Sequence, residues 1–205
     1  MKKTPTGFTI IELIISICLF SVLIFVVVSM FLNVFSNPEK NLSALENIDE
    51  ARAVTSDFAN EIRNASVAND GSYALNHTTE NQIIFYSNYG SSSPTIIYRI
   101  RYFVENNNLY KGVIIPSGSP LTYDLLSEDV TTLLTGLENG SDPAFYYYDG
   151  DYNGSGSELS EPINLTAVKF VKISLVAPRL SEEGSSTFLV NAGAAIRNLK
   201  DNLGN

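Results

Sequence analysis

The chain has 205 residues, of which 44% are hydrophobic and 17% charged, and a formal net charge of −9. That acidic balance excludes an electrostatic duplex-DNA binder, which needs a basic surface to displace phosphate counterions. With one cysteine, Cys18, no intrachain disulfide can form.

The first element is an apolar run from Phe8 to Phe35 whose single charge is Glu12. As a helix rising about 1.5 Å per residue it would reach roughly 42 Å, more than the roughly 30 Å of a bilayer's hydrocarbon core. An ionised carboxylate at that depth costs roughly 3 kcal/mol or more, so it needs a partner and a role. Cys18 lies in the same run and reads as a small lipid- or helix-facing residue. Ahead of the run stands a short polar leader, Met1-Lys2-Lys3-Thr4-Pro5-Thr6-Gly7. Its lysines predict that this end stays cytoplasmic and that the C-terminal part lies outside. A secretory signal peptide would have a shorter apolar run and a small-x-small site at its far end, where Val34-Phe35-Ser36-Asn37-Pro38 stands instead. A plain membrane anchor leaves Glu12 and the Gly7-Phe8 junction unexplained.

Gly7 followed by Phe8, with Glu12 the fifth residue after that glycine and a long apolar helix beyond, resembles the class III signal of type IV prepilins and pseudopilins. The resemblance implies a leader, 1–7, removed by a separate prepilin peptidase between Gly7 and Phe8, and N-methylation of Phe8. Those residues are then substrate. It also implies that Glu12 pairs with the N-terminal amine of a neighbouring subunit. Two opposite charges would satisfy each other where lipid satisfies neither. The alternative partner is within the chain, Glu12 meeting its own new N-terminus about one turn away.

The remaining elements follow in order. A transmembrane helix over 8–37 precedes a soluble domain over 38–205, with Pro38 marking a bend between them. Leu42, Leu45, Ile48, Ala51, Val54, Phe58 and Ile62 recur at helical spacing, which predicts an amphipathic helix over about 41–65. Glu46, Asp49, Glu50, Arg52, Asp57, Glu61 and Arg63 are placed on its other faces. Strands are expected at 82–87 and 95–104, around the turn cluster Ser91-Ser92-Ser93-Pro94. Asn106-Asn107-Asn108 is expected to turn into a strand over 109–115, making a hairpin. Residues 127–137 fit a short helix or a strand. Strands follow at 144–149, 167–177 and 186–197. In the last, Phe188, Val190, Ala192, Ala194 and Ile196 face inward, and the small alanines suggest close approach of the helix. The fold class is α+β, a long N-terminal helix packed on antiparallel sheet.

The aromatic strand Phe145-Tyr146-Tyr147-Tyr148-Asp149, the Gly/Ser-rich turn after it, Pro162 and the strand near Val168–Leu175 are similar to the globular domain of J-type minor pseudopilins of type II secretion. The absence of a proline at Ser29 and of a C-terminal cysteine pair favours a minor subunit over a fibre-forming one. The resemblance implies the pilin fold and a non-enzymatic structural subunit that helps initiate or cap a pseudopilus. Its partners would be other pseudopilins or minor pilins, the prepilin peptidase and the bacterial inner membrane. The alternatives are a minor type IV pilin or competence pseudopilin and, from another class, a membrane-anchored extracytoplasmic binding domain.

Other chemistry is sparse. His77, the only histidine, falls in Asn76-His77-Thr78-Thr79 and reads as a surface histidine in a polar loop. Asp149-x-Asp151-x-Asn153-Gly154 repeats the first half of a calcium loop, with Ser160 where the closing glutamate belongs and Glu158 and Glu161 nearby. The same residues also build ordinary β-turns.

Overall fold

The computed structural model describes residues 9–35, 38–91, 93–181 and 184–199. The chain divides into two compact units, Met1–Ser43 and Ala44–Asn205.

In the first unit, α1 (Ile10–Phe35) carries the apolar run. Its stretch Ile10–Leu32 is long and apolar enough to cross a membrane. Bare apolar side chains surround it, from Ile10 at 80% exposure to Val27 at 47%. A helix that is apolar all round offers water no face, and needs cover from lipid or other apolar surface. Two of its serines bond back to the helix's own carbonyls, Ser16 Oγ to Glu12 O at 2.7 Å and Ser21 Oγ to Cys18 O at 2.8 Å. They therefore need no water.

The amphipathic helix, α2 (Pro38–Arg63), begins at Pro38. Proline fits the first turn of a helix because its φ is already helical and the N–H it lacks would have had no partner. The start precedes the expected residue 41 for that reason. Ala51, Phe58 and Ile62 are buried, as the spacing predicts, with Ala59 beside them; Ile48 and Val54 are half-buried, and the side chains of Leu42 and Leu45 lie outside the described ones. Thr55 is buried beside them, its hydroxyl donating to Ala51 O at 2.9 Å.

The strands of the second unit form two sheets. β1 (Leu75–Thr78), β2 (Gln82–Ser87), β3 (Tyr98–Glu105), β4 (Asn108–Ile114) and β5 (Asp129–Leu134) lie in chain order in the first. β6 (Phe145–Tyr148), β7 (Phe170–Ser181) and β8 (Gly184–Ala195) make the second. Every pairing is antiparallel. The fold is α+β, with its antiparallel strands split between two sheets.

The β3–β4 hairpin turns at Asn106 and Asn107, whose φ angles of 50° and 63° are left-handed. Asparagine tolerates that region, and two such residues suit the right-handed twist of the flanking strands. Phe58 draws both sheets onto one core. Its ring meets Phe85 of β2 at 6.2 Å, Tyr102 of β3 at 5.1 Å and Phe145 of β6 at 5.7 Å. Burying a ring of this size is worth about 1.5–3 kcal/mol.

A seam joins the sheets. β6 pairs with β7 only as far as Ile173. Beyond that point, Ser174 N donates to Ala144 O at 2.9 Å and Glu138 N to Val176 O at 2.7 Å. Asn139 fills the gap between them with its side chain. Its Nδ2 donates to Ser174 O at 2.9 Å, and its Oδ1 accepts from Val176 N at 2.9 Å. One amide side chain thus does the work of a strand residue.

One open alternative is resolved, and two expectations need correcting. Residues 127–137 resolve into a single turn of 3-10 helix, Leu125–Ser127, followed by β5. β1 was not expected at all, and it contains His77. Glu61, assigned to the outer faces of α2, is buried at 5% exposure.

Away from the core, β3 carries Arg99 and Arg101 over Glu128. Arg101 Nε donates to Glu128 Oε1 at 2.9 Å, and Arg99 Nη1 lies 3.5 Å from the same oxygen. Gly112 sits opposite Arg101 in the ladder, and a Cβ there would strike the Glu128 carboxyl group. Gly112→Ala should therefore lower unfolding free energy by about 1–2 kcal/mol through this overpacking. In a Glu128→Ala background the same change should cost clearly less. Chemical denaturation of the four proteins measures that difference.

Candidate functional site

Gly7 and Phe8 lie outside the described residues, so the site begins at Thr9. Thr9-Ile10-Ile11-Glu12 forms a capping box at the start of α1. Glu12 Oε2 accepts from Thr9 N at 3.0 Å and from Thr9 Oγ1 at 2.9 Å. Glu12 N returns a longer bond to Thr9 Oγ1 at 3.4 Å. A carboxylate in the first turn also complements the helix dipole, which leaves the backbone amides there partly positive. In this state Glu12 has an intrachain partner, the amide and hydroxyl of Thr9. Among the described residues, Oε1 accepts no hydrogen bond.

The acidic loop follows β6 in the second unit. Asp149 Oδ1 accepts from Asp151 N at 3.1 Å, and Asn153 Oδ1 accepts from Ser155 N at 3.3 Å and Ser155 Oγ at 3.1 Å. These are the local bonds that asparagine and aspartate make in turns. Glu161, expected nearby as a substitute ligand, is turned to another loop, where Oε1 accepts from Glu80 N at 3.1 Å. Among the described residues, no three His, Cys, Asp or Glu side chains converge on one point. Asp149, Asp151 and Asn153 thus share a loop in which two of the three side chains cap their own backbone.

His77 is exposed, as expected, but it lies on the edge strand β1, where the ladder slips between Leu75 and His77. Cys18 is a free thiol on the exposed surface of α1. No protein-family model matches this chain, and no curated protein matches it.

Two features escaped the sequence. The first is a buried charge in the core of the second unit. Glu61 Oε2 accepts from Tyr102 Oη at 2.8 Å, while Oε1 takes a short bond from Lys111 Nζ. Burial pushes the Glu61 carboxyl group above the ordinary carboxylate range, and Lys111 and Tyr102 pull against that shift. Burial and the neighbouring carboxylate push the Tyr102 phenol up as well. The ammonium of Lys111 also lies 5.5 Å from the centre of the Tyr102 ring. A signal for this existed. Lys111 alternates with Leu109 and Val113, so it shares the inward face of β4 and calls for a carboxylate. Glu61 lies one turn from Phe58, on the arc of the stripe.

The second feature is a groove of about 600 Å³ between α2 and β8. The helix contributes Arg52, Ala59 and Arg63 to its wall, and the strand contributes Phe188, Leu189 and Gly193. Of the alanines expected to admit the helix, Ala192 lines this groove and Ala194 is buried in the core.

Proposed function

We propose that this protein is a non-enzymatic structural subunit of a type IV pilin-like assembly, specifically a minor pseudopilin of the J type. In this reading it is anchored in a bacterial inner membrane with its second unit on the far side. The observation that carries the reading is one carboxylate, Glu12, in the first turn of a helix that is otherwise uncharged and bare on all faces. A lone anchor gains from Glu12 only the cap on Thr9, worth about 1 kcal/mol, and loses more than that in insertion energy to an ionised carboxylate at that depth. An assembly gains a register mark, because a cationic chain terminus from a neighbouring helix fits only at that depth. The α+β unit, with a long helix leading into antiparallel strands, supports the pilin-like reading of the fold.

The chain is then made as a precursor. Cleavage after Gly7 frees the amine of Phe8, which is methylated and becomes the cation for a neighbouring Glu12. Mass spectrometry of the protein from cells with an active prepilin peptidase should find a terminus at N-methylated Phe8. An intact Met1 terminus in such cells would remove the basis for the proposal. Gly7→Ala tests how strictly the peptidase needs a residue without a side chain, and precursor should accumulate in that variant.

A further inference from the structure

The groove beside α2 has an unusual floor. β8 is the outer strand of its sheet, and among the described residues no strand pairs with its free edge. Natural proteins protect such edges with charges, prolines, bulges or a covering segment, because unpaired N–H and C=O groups are a template for another strand. β8 reads Gly-Ser-Ser-Thr-Phe-Leu-Val-Asn-Ala-Gly-Ala-Ala, with no charge and no proline, and its pairing with β7 is regular along its length. Leu189 stands 61% exposed on it.

The wall above this edge is cationic. Among the described residues, Arg52 and Arg63 are the charged residues lining the groove and no carboxylate lines it, in a chain whose net charge is −9. They stand three helical turns apart on one face, about 16 Å along the axis. The acidic neighbour of Arg52 is Asp49, a turn away at 3.8 Å with both side chains mostly exposed, an ion pair worth little. Arg63 is held by a neutral partner, Asn60 Oδ1 at 3.1 Å.

We infer that this groove receives an extended acidic segment of a partner protein, which adds as a strand to β8. Backbone hydrogen bonds to the β8 edge supply sequence-independent affinity, and alternate side chains reach the helix wall. At about 3.3 Å per strand residue, carboxylates four to six positions apart meet Arg52 and Arg63 together. Leu189, exposed on the opposite face of β8, meets the apolar side chains between. This surface lies wholly in the second unit and does not depend on the role of Glu12.

The test uses the full-length protein in detergent and a synthetic ten-residue peptide of alternating threonine and valine, with two glutamates four positions apart. Hydrogen–deuterium exchange at saturating peptide should show slowed exchange over residues 187–193. A peptide with lysines in place of the glutamates should bind roughly tenfold more weakly or worse. Arg52→Glu with Arg63→Glu should reverse that preference while lowering the melting temperature by only a few degrees, since both side chains are at the surface and lose only weak helix-end and ion-pair interactions. Absence of protection over 187–193 would overturn strand addition. Equal binding of both peptides would overturn the acidic partner. Protection of 187–193 that depends on protein concentration without peptide would show that a second copy of this chain fills the groove instead.

Discussion

Lys111→Ala should cost the second unit about 3–5 kcal/mol of unfolding free energy, because it strands the Glu61 carboxylate in the core. The side chain of Glu61 is 6% exposed and that of Lys111 22%, so solvent does little to replace the lost partner. Tyr102 alone would remain to donate to the carboxylate, with Asp57 on the same helix acting against its charge. The loss should depend on pH in a defined direction. Burial holds the folded carboxyl group above its unfolded value of about 4.3, so proton uptake favours the fold. That contribution is complete below the unfolded value and disappears as pH rises through the folded one. The deficit of Lys111→Ala should therefore be largest near about pH 7 and shrink towards about pH 5, as the stranded group protonates. Removing the whole buried polar set with apolar residues of similar volume, Glu61→Leu and Lys111→Met together with Tyr102→Phe so that no hydroxyl is left without its acceptor, should recover most of the stability. Urea titrations of the parent and variants at the two pH values supply the comparison. A deficit that does not change with pH would mean that Glu61 is not the group responsible.

Glu12→Ala should reduce incorporation into the helical assembly by about two orders of magnitude or more. The reason is the several kcal/mol lost when a neighbour's amine is buried without a counter-charge. Insertion should be unharmed, since the substitution removes a charge that is costly in lipid. The capping box complicates that variant, because alanine also gives up the bonds to Thr9. Glu12→Gln separates the two effects. Glutamine can still accept from Thr9 N and Thr9 Oγ1 and so keeps the cap, but it carries no charge. Cross-linking through cysteines placed on α1, after replacement of Cys18, reports neighbour contacts directly. If charge pairing sets the register, both variants should cross-link poorly. Full cross-linking by Glu12→Gln alone would assign Glu12 to the cap, and full cross-linking by both would leave register to apolar packing.

Elements whose signals are local were legible from the sequence, and elements defined by their partners were not. The apolar length of α1, the stripe of α2 and the paired asparagines of the β3–β4 turn each reflect a property of consecutive residues. β1 was missed because Asn76, His77 and Thr78 are polar, and its two exposed residues, Asn76 and His77, are adjacent, so the strand shows no alternation. β7 runs past Pro178, where a stop was expected. By then β6 has ended, and proline is tolerated where no further strand needs its N–H. Glu61 was misplaced by the rule that charges on an amphipathic helix face water. Its partners are Tyr102 and Lys111, 41 and 50 residues away, and no helical pattern reports them. At the candidate site, Glu12 could be read from its isolation among apolar residues. Its Thr9 contacts are also legible in the spacing, as the Thr-x-x-Glu of a capping box. The α2–β8 groove joins two segments distant in sequence, and neither one marks it.

The seam at Asn139 ties the endurance of this fold to one chemical bond. Its side-chain amide gives a proton to Ser174 O and takes one from Val176 N, so the join depends on the group being both donor and acceptor. Glycine follows at position 140, and an asparagine before glycine is the sequence in which the next backbone nitrogen most readily attacks the side-chain carbonyl and expels ammonia. Hydrolysis of the resulting ring leaves a carboxylate, which would face the Ser174 carbonyl as acceptor against acceptor. Slow loss of ammonia at this residue would open the join from within, so the bond that completes the ladder also acts as a clock on the age of each molecule.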